Sequence, residues 1–94
     1  MRKWRVHVGF IENPSGDYYY CDIAPMEYSG AVPVQHQKTF EAMVNVLLNL
    51  GLSAGQIEFV RRNIAENGFV DLLPLYITEE AAEAFGSVQR TKSL

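Results

Sequence analysis

The sequence predicts a single α+β domain in which a small antiparallel sheet packs on a two-helix hairpin. Three observations predict this class. Apolar and polar side chains alternate over the N-terminal segment, apolar residues recur at helical spacing in the middle of the chain, and a second strand-like segment follows them. The expected order is ββααβα, with an N-terminal β-hairpin, one later strand and a short C-terminal helix.

The first strand is predicted over residues 4–11. Its apolar side chains occupy every second position, which is the period of a strand with one buried face: Trp4, Val6, Val8 and Phe10. Residues 12–17 include Pro14 and Gly16 and are typical of a turn. Aromatic and apolar residues of high strand propensity follow over residues 18–24, so we expect an antiparallel hairpin.

Burial of one face of this hairpin also predicts its register. The second strand offers a matching apolar face at Tyr19, Cys21 and Ile23. Pairing the two apolar faces places Val6 opposite Ile23. On the opposite face of the hairpin, the same register places His7 opposite Asp22.

Residues 26–37 are predicted to be a connection between the hairpin and the helices. The segment contains Gly30 and Pro33 and has no sustained period, apart from a short extended piece expected at residues 31–34. Connections of about a dozen residues are uncommon in a compact domain and tend to be functional or to contain unrecognised structure.

Two helices joined by a short turn are predicted over residues 39–67. The apolar face of the first helix is formed by Phe40, Met43, Val44, Leu47 and Leu48. Gly51 is a suitable residue to end that helix, and Ser53 with Gln56 forms a capping box that begins the second. Gly68 is expected to end the second helix in the left-handed conformation.

The third strand is predicted over residues 69–77, where Pro74 restricts it to the edge of a sheet or to a bulge. Thr78 then caps a short helix whose first turn is acidic, and Gly86 is expected to end it. These boundaries define one domain over residues 1–86 and a flexible C-terminal tail over residues 87–94.

Composition limits the classes of function. The 94-residue chain carries a formal net charge of −3, which disfavours nucleic acid and anionic membranes as partners. Its longest apolar run is far shorter than the ~18–20 residues that span a bilayer, and no signal peptide is recognisable. A lone Cys21 cannot close an intrachain disulfide, so we expect a cytoplasmic location.

One candidate binding surface emerges from the predicted register. It is the outward face of the hairpin, and its residues are Arg5, His7, Tyr18, Tyr20 and Asp22. A carboxylate beside His7 would favour the charged imidazole and fix its orientation. The same residues are equally compatible with a solvated sheet face. No catalytic set, cofactor motif or metal-ligand spacing is recognisable, so none is predicted.

Three functions remain open. The leading hypothesis is a non-enzymatic binding module, a small regulator or inhibitor of phage or accessory type, which occludes a partner protein or sequesters a small ligand and can form a homo-oligomer. The alternative is a sequence-specific DNA-binding regulator, because residues 43–67 have the spacing of a helix-turn-helix, with Gln56, Arg61 and Arg62 as its readers. The third is a small enzyme that uses His7 and Asp22.

Overall fold

The computed structural model describes the backbone of residues 2–93 and the side chains of residues 2–86. Four strands and three helices lie within this part of the chain. The elements in chain order are β1 (Arg2–Ile11), β2 (Tyr18–Pro25), β3 (Val34–Gln37), α1 (Phe40–Asn49), α2 (Ala54–Asn67), β4 (Phe69–Ile77) and α3 (Glu79–Ser93). The α+β class is confirmed.

The strands form one antiparallel sheet in the order β3-β2-β1-β4. The predicted hairpin register is confirmed, with Val6 opposite Ile23 and His7 opposite Asp22. β4 is an edge strand, and its pairing with β1 shifts register between Trp4 and Val6. The shift lies beside Pro74, so the expectation of an edge or bulged position for this proline is confirmed.

Strand β3 was not predicted. It occupies Val34–Gln37, at the end of the segment predicted as a connection, and it pairs with β2. The predicted extended piece at residues 31–34 therefore lies three residues too early. The physical reason is composition, because three of the four residues in β3 are Gln or His, and neighbouring strand β2 supplies the pairing that propensity alone does not indicate.

The helices pack on one face of the sheet and leave the opposite face uncovered. Apolar side chains from every element except β3 form the core between the two layers: Trp4, Val6, Val8, Cys21, Ile23, Met43, Leu47, Leu50, Leu52, Val60, Val70, Leu72, Ile77 and Phe85. From β3, the polar side chain of Gln35 is also buried. In α1 the prediction was wrong for Leu48, which is 50% exposed while Leu47 is fully buried. The buried stripe of α1 turns toward Val46 and Leu50 instead.

The predicted helix boundaries at 39–68 are confirmed by their caps. The Thr39 side chain accepts from the backbone of Ala42 at the start of α1, and Ser53 and Gln56 form both hydrogen bonds of a capping box at the start of α2. Gly68 ends α2 with a φ of 85°. These local bonds explain how α2 can begin after a linker of only four residues, 50–53, that follows the end of α1.

Helix α3 begins as predicted, because the Thr78 hydroxyl accepts from the backbone of Ala81. Its predicted end at Gly86 was wrong, since the helix continues to Ser93. A glycine inside a helix costs about 1 kcal/mol relative to alanine, which weakens a helix without ending it. The side chains of the predicted tail, residues 87–94, lie outside the described residues.

None of the helices within residues 2–93 has both the length and the apolar composition needed to cross a lipid bilayer.

Candidate binding site

The face of the sheet that the helices leave uncovered is called the outer face below. All five predicted binding residues lie on it: Arg5 and His7 from β1, and Tyr18, Tyr20 and Asp22 from β2. Strand β4 extends this face on the other side of β1, where it contributes Phe69 opposite Gly9 and Asp71 opposite His7. His7 therefore lies between two aspartates on neighbouring strands.

His7 is hydrogen-bonded through both ring nitrogens. Its Nδ1 lies 2.5 Å from Oδ1 of Asp71, and its Nε2 lies 2.8 Å from the Tyr20 hydroxyl. An imidazole whose single proton is on Nδ1 would donate to the carboxylate and accept at Nε2 from the phenol. The sequence predicts a carboxylate beside this histidine at Asp22, but the hydrogen-bonded partner is Asp71.

Tyr20 is held over the bare backbone of Gly9. A Cβ atom at Gly9 would overlap the Tyr20 hydroxyl, so the absence of a side chain there lets the ring lie flat enough to reach His7. Burial, followed by the charges of Asp22 and Asp71, raises the pKa of Tyr20. The phenol consequently remains protonated at neutral pH and can donate to the imidazole.

His7 and Asp71 form one side of a cleft of about 520 Å³ on the outer face, and Tyr20 lies behind His7. Residues 26–30 and Val32 form the opposite wall, because the connection that they belong to folds over the sheet and buries Ala24. Two backbone contacts anchor this wall: Met26 donates to the carbonyl of Lys3, and Ile23 donates to the carbonyl of Pro33. The segment predicted as a connection over residues 26–37 thus contributes one wall of the cleft.

Arg5 and Asp22 are the other charged strand residues that line the cleft. The Arg5 guanidinium donates through Nη2 to the carbonyl of Tyr28 at 2.7 Å, which fixes it against the wall and leaves further N–H groups for a ligand. Asp22 accepts no hydrogen bond from any described residue. Burial raises the pKa of its carboxyl, as does Asp71 to a smaller extent, whereas His7 and Arg5 oppose the rise.

Tyr18 lies apart from the cleft. Its ring contacts His36 of β3 edge to face, with 5.1 Å between ring centroids. The structure therefore brings Arg5, His7 and Asp22 together around the cleft, places Tyr20 behind His7, and leaves Tyr18 at the far end of β2.

Two parts of the site were missed by sequence reasoning. The first is Asp71, whose position on the outer face follows only once β4 is known to pair with β1. The second is the wall formed by residues 26–32, for which the sole signal was the unusual length of the connection. Alternation along residues 69–73 would have placed Asp71 on one face of its strand, but not beside His7.

A row of exposed apolar side chains lies along β4. Phe69, Leu73 and Tyr76 are 50%, 52% and 59% exposed. Phe69 also contacts the His7 ring, with 5.8 Å between centroids. Aromatic side chains are thus more exposed on β4 than on the outer face of β2, where Tyr18 and Tyr20 are half-buried.

Two of the three predicted DNA-reading residues on α2, Gln56 and Arg61, have local partners. Gln56 completes the capping box with the backbone of Ser53, and Arg61 forms an ion pair with Glu58 one turn earlier. These contacts occupy the side chains that would face a major groove.

Cys21 lies on the core side of the sheet, where burial raises the pKa of its thiol.

Among residues 2–86, no three His, Cys, Asp or Glu side chains converge in a way that could hold a metal ion. Comparison of the chain with protein-family models, with curated proteins and with solved structures finds no match to any of them.

Proposed function

We propose that this protein is a non-enzymatic binding module that sequesters a small polar ligand in the outer-face cleft. The observation that carries the proposal is the cleft itself, a concavity of about 520 Å³ lined by charged side chains from three strands and walled by an ordered connection. This volume lies in the range of ~300–1,000 Å³ that is usual for small-molecule sites.

The state of His7 favours binding over catalysis. A general base needs a ring nitrogen within reach of the substrate, whereas Asp71 and Tyr20 occupy both nitrogens of His7. The chain of three residues is better suited to fix the shape of the cleft. The buried, unpaired thiol of Cys21 supports a reducing compartment, and we propose a cytoplasmic location on that basis.

The proposal is tested by mapping ligands onto the cleft. Amide chemical shifts recorded against a metabolite library should change for residues 5–7, 22 and 26–32 when a ligand binds. Ser29 lines the cleft and Ala31, in the same exposed connection, does not. Ser29→Trp should therefore abolish these changes, and Ala31→Trp should preserve them. Equal behaviour of the two variants would refute the assignment of the cleft.

A second candidate function is inhibition of a partner protein through the apolar row on β4. Exposed apolar side chains that lie together mark protein interfaces more often than isolated ones do, and Phe69, Leu73 and Tyr76 are each at least half exposed. A captured partner should be lost in Leu73→Ser and retained in Leu48→Ser, because Leu48 is equally exposed but lies on α1. Retention in both variants would exclude the row as the interface.

A further inference from the structure

Arg5 and Asp22 are oppositely charged strand residues that line the cleft and do not pair with each other, and Glu27 adds a further carboxylate from the connection. Asp71 and His7 are joined directly. Among residues 2–86, no ion pair within 4.0 Å involves Arg5 or Asp22, although both side chains line the same cavity. A cation and an anion that share a cleft without contact present two separate points of attraction to a ligand.

The sheet register explains why Arg5 and Asp22 remain apart. Arg5 lies opposite Ala24, and Asp22 lies opposite His7, so the two charged residues are diagonal neighbours across β1 and β2. Diagonal positions are separated by about 7–8 Å between backbones. The bond from Arg5 to the carbonyl of Tyr28 draws the guanidinium toward the wall of the cleft.

Apolar side chains also line part of the cleft. Met26 and Val32 belong to the connection and Ala24 to β2, and the polar residues Glu27 and Ser29 line the cleft beside them. A ligand that occupies the cleft therefore meets a guanidinium, carboxylates and an apolar patch together.

We infer that the cleft binds a free α-amino acid, with the ligand carboxylate on the Arg5 guanidinium, the ligand ammonium on the Asp22 carboxylate, and an uncharged side chain against Met26 and Val32. A guanidinium binds a carboxylate through two parallel hydrogen bonds. The ligand ammonium supplies the hydrogen bonds that Asp22 lacks in the protein. This inference rests on the proposed ligand-binding function and specifies its ligand class.

Two simpler ligand classes satisfy the cleft less well. A monoanion would pair with Arg5 but would leave the partly buried Asp22 carboxylate without a partner, and a monocation would leave Arg5 without one. An unmatched charge in a partly desolvated site weakens binding. We therefore expect both ligand charges to be required for affinity.

The test begins with the twenty standard amino acids, added singly to the purified protein and followed by amide chemical shifts and calorimetry. For the strongest binder, the decarboxylated amine and the deaminated acid are compared at matched ionic strength. Each analogue should bind at least about tenfold more weakly, because loss of a charge-assisted hydrogen bond costs about 1.5–3 kcal/mol. Equal affinity of either analogue would contradict the two-charge arrangement.

Variants then assign each ligand charge to a residue. Arg5→Gln and Asp22→Asn should each weaken binding at least about tenfold, and Arg5→Lys should restore part of the loss through its charge. Lys3→Gln and Glu12→Gln are the matched controls, because both residues are exposed on or beside β1 and neither lines the cleft. In Arg5→Gln, amide shifts that change only next to Tyr28, whose carbonyl loses the Arg5 donor, verify that the rest of the wall from Met26 to Val32 is intact.

The outcomes separate this inference from the proposed function. If none of the twenty amino acids binds, or if binding is unaffected in both Arg5→Gln and Asp22→Asn, the inference is wrong. If another class of metabolite shifts the cleft amides in a manner blocked by Ser29→Trp, the proposed function still stands. If no small molecule perturbs the cleft, both fail.

Discussion

At the scale of single residues, the outer face depends on the contact between Gly9 and Tyr20. The glycine allows the phenol to reach His7, and His7 in turn holds Asp71 across the sheet. The hydrogen-bonded chain of Tyr20, His7 and Asp71 crosses three neighbouring strands. It therefore depends on the absence of a side chain at Gly9. Substitutions at Gly9 and Tyr20 separate the packing of this chain from its hydrogen bonding.

Tyr20→Phe keeps the ring over Gly9 and removes the bond to His7. We expect the free energy of unfolding to fall by about 0.5–1.5 kcal/mol, the usual contribution of one hydrogen bond. Gly9→Ala should cost more, because its Cβ displaces the ring as well as breaking the bond. Urea denaturation measures both changes. A smaller loss in Gly9→Ala than in Tyr20→Phe would contradict the close approach.

Asp22 leads to a prediction about pH. Its pKa is raised in the folded protein, mainly by burial, so the folded state holds the proton more tightly than the unfolded state. The free energy of unfolding therefore decreases as the pH rises from the ordinary carboxyl value of 3.8 through the raised value. Asp22→Asn should be more stable than the wild type at pH 7, and the difference should close below that range.

Glu12→Gln is the control for this pH dependence, because Glu12 is exposed at the end of the hairpin strand. Its stability curve should remain parallel to that of the wild type. Denaturant unfolding at several pH values provides the measurement. A stabilisation by Asp22→Asn that persists unchanged at low pH would assign the effect to something other than ionisation of Asp22.

At the scale of elements, the caps and strand ends determine where each segment stops, and α3 shows the limit of such rules. Gly51 and Gly68 have positive φ values of 98° and 85°, which suits a glycine at the end of a helix. Gly86 has no positive φ and lies within α3. The same residue type therefore ends two helices and is included in a third.

Gly86→Ala distinguishes these two conformations by the sign of its effect. At a left-handed helix end an alanine is strained, whereas inside a helix it stabilises by about 0.5–1 kcal/mol relative to glycine. An alanine Cβ at this position would lie 3.8 Å from Cγ of Pro33, an ordinary contact. We expect a higher thermal midpoint for Gly86→Ala and a lower one for Gly68→Ala.

Most of the element order could be predicted because its signals are local. Alternation along β1 and β2 determined the register of the hairpin, and the capping box at Ser53 located the start of α2. β3 is four residues long and mostly polar, so it carries no such signal. Its presence depends on the pairing that β2 offers.

The candidate site was predicted only as far as the hairpin extends. Arg5, His7 and Asp22 follow from the register of two adjacent strands, whereas Asp71 comes from a strand 64 residues away from His7 in sequence. Helices α1 and α2 lie between the hairpin and β4 in the chain, and their packing decides which edge of the hairpin pairs with β4. No local sequence pattern indicates that edge. The hairpin register correctly places Asp22 opposite His7, but it does not indicate Asp71, the second carboxylate, which bonds to the imidazole.

At the scale of the whole molecule, one core lies between the sheet and the helices, and the outer face contributes little to it. Side chains from three of the four strands and all three helices meet in a single cluster. Stability and ligand binding are thus divided between opposite faces of the same sheet. Substitutions on the two faces should consequently have separable effects.

Leu47 and Leu48 provide a matched pair of adjacent residues for this division. Leu47→Ala should lower the free energy of unfolding by about 2–5 kcal/mol, because it leaves a cavity in the core. Leu48→Ala should change it by about 0.5 kcal/mol or less, since Leu48 is 50% exposed. Chemical denaturation measures both. Similar losses in the two variants would contradict the burial of a single stripe on α1.

The wall of the cleft has a consequence for engineering. Its two ends are fastened to strands, by Met26 to Lys3 and by Pro33 to Ile23, while the residues between them stay outside the core cluster. Residues 27–31 can therefore be replaced as a cassette, with the rest of the chain kept as a constant scaffold. A library diversified there would select new ligand specificities from an unchanged fold.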